Sequence, residues 1–183
     1  MKKYIITVLG QDKPGIIAAV SKSLFELDCN IENVKQMILQ SEFAGIFIVA
    51  LQEETGIESI ETSLKSDLAP LGLDVHMKEM RPRTNPADSR SEPFIITTVG
   101  PDKKGLVASM TAIIAAYGVN VTNLQAVFEG GDDPDKNIMI YEVDIPAGVD
   151  QAGLMAALRK KAEALNLDLS IQHRNIFKVM NRI

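Results

Sequence analysis

Two short loops carry the residues of this sequence that could do chemistry. They read Gly10-Gln11-Asp12-Lys13-Pro14-Gly15 and Gly100-Pro101-Asp102-Lys103-Lys104-Gly105, and each precedes an apolar segment typical of a helix. The start of a helix presents unpaired main-chain N–H groups and the positive end of the helix dipole, which together suit a carboxylate. Gly15 and Gly105 would let a ligand approach the backbone closely.

The charged side chains of the loops indicate a ligand class. Asp12 and Asp102 could accept hydrogen bonds from an ammonium group, while Lys13 and Lys103 could add positive charge beside a carboxylate. An amino acid carries both charges and fits that pairing. The alternative is structural: Asp12 would cap its helix, and the glycines would only shape the turn.

Catalytic and metal-binding constellations are not found in the sequence. His76 and His173 lack a carboxylate or cysteine at the spacing of a metal site. Cys29 has no basic residue nearby in sequence that would activate its thiol. We therefore expect a protein that is not an enzyme and that holds neither a metal nor a cofactor.

Composition argues against three other classes of protein. The net charge is −5 and the pI about 5.1, whereas nucleic-acid binders usually carry a basic excess. No apolar stretch approaches the roughly 20 residues that cross a bilayer. The single cysteine permits no internal disulfide and suits a reducing compartment. We expect a cytoplasmic protein with no direct contact to nucleic acid or membrane.

An internal repeat organises the chain. Residues 4–15 match residues 94–105 at a constant offset of 90, and ten of the 32 pairs across 5–36 and 95–126 are identical. Chance would give roughly two or three identities at average composition. The offset then rises to about 94, and the extra residues fall in the turn-rich segment 129–135, where a loop lengthens at little cost. A tandem duplication is the interpretation.

Each copy predicts the same series of elements. Periodicity and turn residues in the first copy place them as follows: a strand at 4–9, a helix opening at Gly15, strands at 31–39 and 45–51 joined by a turn at 40–44, a helix at 57–71 and a strand at 73–78. The domains would span residues 1–80 and 94–183, with residues 81–93 as a proline-containing linker.

The βαββαβ order predicts an α+β protein of two ferredoxin-like domains. In each domain an antiparallel sheet would be covered by two helices on one face. The other face or an edge of such a sheet needs cover, which favours a homodimer.

The loop motif, the apolar helix and the Asn-Ile pair that opens the next strand resemble the ACT domain family. The pattern covers the first half of each unit, and the two units span nearly the whole chain. The resemblance implies amino-acid binding at interfaces between domains, through Asp12, Lys13, Pro14, Gly15, Ile16, Asn30 and Ile31, and through Asp102, Lys103, Gly105, Leu106, Asn120 and Val121. Lys104 departs from the pattern where proline is usual, so the ligand or occupancy of the second loop is open.

Two further expectations concern position and function. Asn30 and Asn120 should lie beside the loops, unless they only form turns. Two ACT units in tandem are similar in layout to regulators that act through a partner protein such as a transcription factor, and glycine or serine is the ligand that this similarity implies. The alternative is a non-catalytic interaction or regulatory subunit of a metabolic enzyme.

Overall fold

A computed structural model describes residues 2–51, 56–81, 91–128 and 137–175 of the chain, without the side chains of residues 127 and 128. The chain divides into two compact units, Met1–Thr84 and Asn85–Ile183. This division falls inside the segment predicted as a linker. Residues 82–90 of that segment, and the predicted insertion at 129–135, lie outside the described residues.

The first unit has the predicted βαββαβ order. Its elements are β1 (Lys2–Gln11), α1 (Ile16–Glu26), β2 (Asn30–Leu39), β3 (Glu42–Leu51), α2 (Ile57–Leu68), a 3-10 turn (Ala69–Leu71) and β4 (Asp74–Glu79). The strands pair antiparallel in the order β2-β3-β1-β4, so β2 and β4 are the edges of the sheet.

The second unit repeats this arrangement. Its elements are β5 (Ser91–Gly100), α3 (Leu106–Ala116), β6 (Asn120–Phe128), β7 (Asn137–Pro146), α4 (Gln151–Leu165) and β8 (Asp168–His173). The strand order β6-β7-β5-β8 matches that of the first sheet, again antiparallel throughout. The predicted fold class, α+β with two ferredoxin-like units, is confirmed.

Each unit has its own hydrophobic core between its helices and one face of its sheet. The helix after the first strand contributes residues at helical spacing, as the periodicity predicts. These buried residues are Ile16, Val20 and Leu24 in α1, and Leu106, Met110 and Ile114 in α3.

Some element boundaries differ from the prediction. β1 continues through Gly10 and Gln11, because β3 begins at Glu42 and pairs with both residues. The hairpin turn is therefore only Gln40 and Ser41, and Gln40 adopts the positive φ of 57° that tight hairpins need. β5 begins at Ser91, three residues before the predicted start of the second domain at residue 94.

The first glycine of each loop is required by packing. A Cβ atom on Gly10 would lie 2.9 Å from the carbonyl oxygen of Gly72 and 2.8 Å from the side chain of Leu73. The counterpart on Gly100 would lie 2.8 Å from the carbonyl oxygen of Asn166. Because main-chain atoms form this contact, only glycine lets the last strand begin so close to the first.

Replacing Gly10 by alanine should therefore destabilise the first unit, although alanine normally suits a strand better than glycine. We expect Gly10→Ala to lower the free energy of unfolding by about 1–3 kcal/mol through overpacking, measured by urea denaturation. Gly56→Ala is the control, since its Cβ would meet nothing within 4 Å and its φ is −66°. A variant at Gly10 as stable as the control would contradict this packing role.

Candidate functional site

The helices that follow the two loops start without a side-chain cap. Gly15 and Gly105 precede α1 and α3 with φ of 95° and 85°, a left-handed conformation that favours glycine. Among the described residues, no side chain accepts a hydrogen bond from either first turn. The helix α4 shows the opposite case, because Asp150 accepts a hydrogen bond of 2.9 Å from the Gly153 N–H. The structural alternative for Asp12, a helix cap, is therefore not what the structure shows.

The first loop is held in place by its neighbours. The main-chain N–H of Asp12 donates to the carbonyl oxygen of Ser41 at 2.7 Å, which ties the loop to the β2–β3 turn. Lys13 Nζ donates to the carbonyl oxygen of Leu71 at 3.2 Å, at the end of the 3-10 turn. A cation is favourable at the C-terminal end of a helical segment, where carbonyl groups lack partners.

The second loop repeats the lysine contact. Lys103 Nζ donates to the carbonyl oxygen of Leu165, the last residue of α4, also at 3.2 Å. The sequence did not predict this role for Lys13 and Lys103. Their contribution to a ligand site stays a prediction. The ammonium groups lie where each loop approaches the carbonyl groups of Leu71 and Leu165.

A pocket of about 280 Å³ opens beside the first loop. Its lining includes charged residues of the loop, the first turn of α1, and the apolar side chains of Ile17, Ile38 and Phe43. The complete lining is Asp12, Lys13, Gly15, Ile16, Ile17, Ala18, Gln36, Ile38 and Phe43. Four of the predicted site residues, Asp12, Lys13, Gly15 and Ile16, thus line one pocket together with apolar side chains, a mixture that is common in small-molecule sites.

A β-bulge turns Ile38 toward this pocket. The β2–β3 register passes from Ile31 opposite Val49 to Asn33 opposite Ile48, so Glu32 is the extra residue. Alternation resumes one residue out of phase after the bulge, which places Ile38 on the helix-covered face. Its side chain is nevertheless 54% exposed at the edge of the sheet.

The structure does not bring Asn30 and Ile31 to the loop. Asn30 lies opposite Ala50, which pairs with Lys3, whereas the loop follows the other end of β1. The seven residues from Lys3 to Gly10 span about 23 Å of strand at roughly 3.3 Å each. α1 runs back along the sheet and returns the chain to its far end, so the expected proximity to the loop is wrong within one unit.

In the second unit, Asn120 and Val121 also lie away from the loop of their own unit. Asn120 lies opposite Asp144, which pairs with Pro93, and not near the loop that follows Gly100. Val121 is half-buried and packs against the core of its unit. We therefore assign Asn120 no contact with the loop of its own unit.

The second loop has a polar neighbour that the first lacks. Asn137 is opposite Gly100, as Phe43 is opposite Gly10. Its side chain is only 4% exposed, and Nδ2 donates to Asp102 Oδ1 at 3.1 Å. The side-chain oxygen of Asn137 is buried and has no hydrogen-bond donor among the described residues.

Sequence reasoning missed Ile17, Ile38, Phe43 and Asn137. Ile17 is not part of the buried stripe of α1, so helical periodicity does not select it. The bulge in β2 changes which face of the sheet Ile38 lies on, and strand alternation does not predict that change. The signal for Asn137 was available, because the offset of 94 aligns this polar residue with Phe43.

Other reactive groups do not form a catalytic centre in the described parts of the chain. Burial raises the pKa of the Cys29 thiol to about 11, with a smaller contribution from the Asp28 charge. Such a thiol is almost entirely protonated at neutral pH and is a poor nucleophile. Residues 2–51, 56–81, 91–128 and 137–175 contain no group of three or more His, Cys, Asp or Glu side chains that could hold a metal. Within the same ranges no helix is long and apolar enough to span a bilayer.

Fold and site together define a class of protein: tandem ferredoxin-like units, each with an uncapped helix start after its first strand. The sequence profile of the ACT domain family matches residues 2–78 and 92–172. The chain belongs to the ACT domain family, and the resemblance predicted from the loop motifs is confirmed.

Known relatives cover either both units or one. The chain is 27% identical to the glycine cleavage system transcriptional repressor of Escherichia coli, over 91% of this chain and 87% of the repressor. It is 37% identical to a UPF0237 protein of Methanococcus maripaludis, over 50% of this chain and 99% of that protein. A crystal structure of an unknown protein from Galdieria sulphuraria has a TM-score of 0.77 at 23% identity, over 94% of this chain and 98% of the other.

Proposed function

We propose that this ACT domain protein is a non-catalytic sensor that binds an amino acid at its loops and thereby regulates a partner protein, such as a transcription factor. The observation that carries the proposal is the uncapped first turn of α1, which lines a pocket together with Asp12. The relationship to a protein named as a transcriptional repressor supports a regulatory role. A lone cysteine is consistent with the reducing cytoplasm, where we place this activity.

The pocket offers one partner for each part of an amino acid. The ligand carboxylate would accept hydrogen bonds from the first-turn N–H groups of α1, and the ammonium would donate to Asp12. Hydrogen bonds to charged groups contribute about 1.5–3 kcal/mol each. Two such contacts correspond to dissociation constants between millimolar and tens of micromolar.

Regulation requires that the ligand binds one state of the protein better than another. Binding of the amino acid would change the affinity of the sensor for its partner by some factor. Binding of the partner would then change the affinity of the sensor for the amino acid by the same factor. Lys13 would take part in this coupling in the first unit, since its Nζ donates to the carbonyl oxygen of Leu71 at the end of the 3-10 turn that follows α2.

Isothermal titration of the full chain against the twenty amino acids tests the proposal, with glycine and serine in the panel. We expect at least one of them to bind, and Asp12→Asn to weaken that binding about tenfold by removing the charge that faces the ammonium. Glu26→Gln removes an exposed carboxylate at the other end of α1 and should leave the affinity unchanged. If no amino acid gives heat, the sensing function is refuted.

A second inference concerns the edge strand β2, on which we propose that a second copy of the chain docks. β2 presents exposed apolar side chains along its length: Val34, Met37, Ile38 and Leu39. In the described parts of the chain, β2 is an edge strand, and no further strand pairs with its outer main-chain groups. Identical edge strands can pair antiparallel about a twofold axis, which satisfies these groups and covers the apolar side chains.

Sedimentation equilibrium distinguishes the possible occupants of β2. We expect a dimer for the wild type and a shift to monomer for Met37→Lys, because a charge would enter the paired edge. Phe25→Lys is the control, since Phe25 is an apolar residue on α1 that is 82% exposed. A wild type that stays monomeric would refute the dimer and leave β2 to a different protein, as in the alternative of a regulatory subunit of a metabolic enzyme.

A further inference from the structure

We propose that one structural position, occupied by Phe43 in the first unit and Asn137 in the second, makes the two loops select different amino acids. The first loop would take an aliphatic side chain, and the second a side chain with a hydroxyl or amide. This inference rests on the proposed function, because it names the ligand class of each loop.

The two residues occupy equivalent places. Phe43 lies opposite Gly10 and Asn137 opposite Gly100, each at the start of the third strand of its unit. Both side chains are buried, with 2% and 4% exposure. Phe43 lines the pocket beside the first loop, and Asn137 contacts Asp102 of the second loop.

The first site has apolar side chains in its lining. Phe43, which is buried, and Ile17 and Ile38, which are partly exposed, all line it. Glycine would leave this surface in contact with water, since it has no side chain to cover it. A branched aliphatic side chain would displace that water, which favours leucine, isoleucine or valine over glycine by about tenfold or more.

The second site contains an unsatisfied acceptor. Asn137 uses its amide N–H to hold Asp102 Oδ1 at 3.1 Å, and its carbonyl oxygen has no donor among the described residues. A buried acceptor without a donor is unfavourable, and most are found paired in folded proteins. A ligand hydroxyl or amide N–H would supply the missing donor, whereas an aliphatic side chain would not.

The neighbouring residues have changed together with this position. In the first unit Gly45 lies between two rings, and a Cβ on it would be 2.9 Å from both Phe43 and Phe47. In the second unit Met139 replaces that glycine, and the Tyr141 hydroxyl donates to its sulfur at 3.2 Å. In the second unit, the Met139 side chain fills space that the Phe43 ring fills in the first. Because the core is filled in this way, packing alone does not explain why residue 137 is polar.

Titration of the full chain with leucine, serine and glycine tests the proposal. We expect leucine and serine each to bind one site per chain, and serine to bind leucine-saturated protein with unchanged affinity. Glycine should bind the leucine site at least tenfold more weakly than leucine does. Competition between leucine and serine for one site, or glycine binding as tightly as leucine, would overturn the assignment.

Single substitutions should separate the two sites. Ile38→Ser should weaken leucine at least tenfold and change serine less than twofold. Ile46→Ser is the control and should change neither, because Ile46 is an exposed apolar residue of β3 on the face of the sheet away from the helices. Asn137→Leu is close to isosteric and should weaken serine at least tenfold without affecting leucine. Asn137→Ala serves as a second variant, and circular dichroism checks the folding of each.

The outcomes separate this inference from the proposed function. If Ile38→Ser or Asn137→Leu weakened leucine and serine binding equally, the two loops would not differ in specificity. Amino-acid sensing would still stand in that case. Binding of no amino acid at all would overturn both.

Discussion

Main-chain N–H groups at the start of a helix need hydrogen-bond acceptors. After the two loops of this protein, the described side chains do not supply these acceptors. The left-handed glycines Gly15 and Gly105 precede α1 and α3, and neither helix has a side-chain cap within the part of the chain that the structure describes. α4 shows that the same chain can seal a helix start, because Asp150 does so. α2 also begins without a side-chain cap among the described residues, so an open start does not by itself mark a site. The open start of α1 lines a pocket together with Asp12, where an anionic group would gain hydrogen bonds from the first-turn N–H groups.

The rest of each unit keeps its loop in one position. Gly10 and Gly100 allow the first strand to pass against the backbone that leads into the last strand. Lys13 and Lys103 each hold their loop by a hydrogen bond of 3.2 Å. Lys13 donates to the end of the 3-10 turn after α2, and Lys103 donates to the last residue of α4. A loop held in this way is preorganised, so a ligand loses less affinity to ordering the protein.

The repeat made much of this predictable. An offset of 90 through residues 5–36 and 95–126 located both loops, the helices α1 and α3 with their buried stripes, and the strands before and after each of these helices. The position of Asn30 was not predictable from its proximity in sequence, because the direction of α1 decides at which end of the sheet the second strand begins. The walls of the pocket were hidden for a related reason: the bulge at Glu32 shifts the alternation of β2, and simple periodicity would place Ile38 on the other face.

Amide chemical shifts in the first turns of α1 and α4 test the central claim most directly. Titration of ¹⁵N-labelled protein with an amino acid that binds should move the N–H resonances of Ile16, Ile17 and Ala18, because these groups would donate to the ligand carboxylate. The first-turn resonances of α4, where Asp150 already serves as the cap, should stay in place. Saturable binding that leaves the first turn of α1 unmoved would contradict the claim.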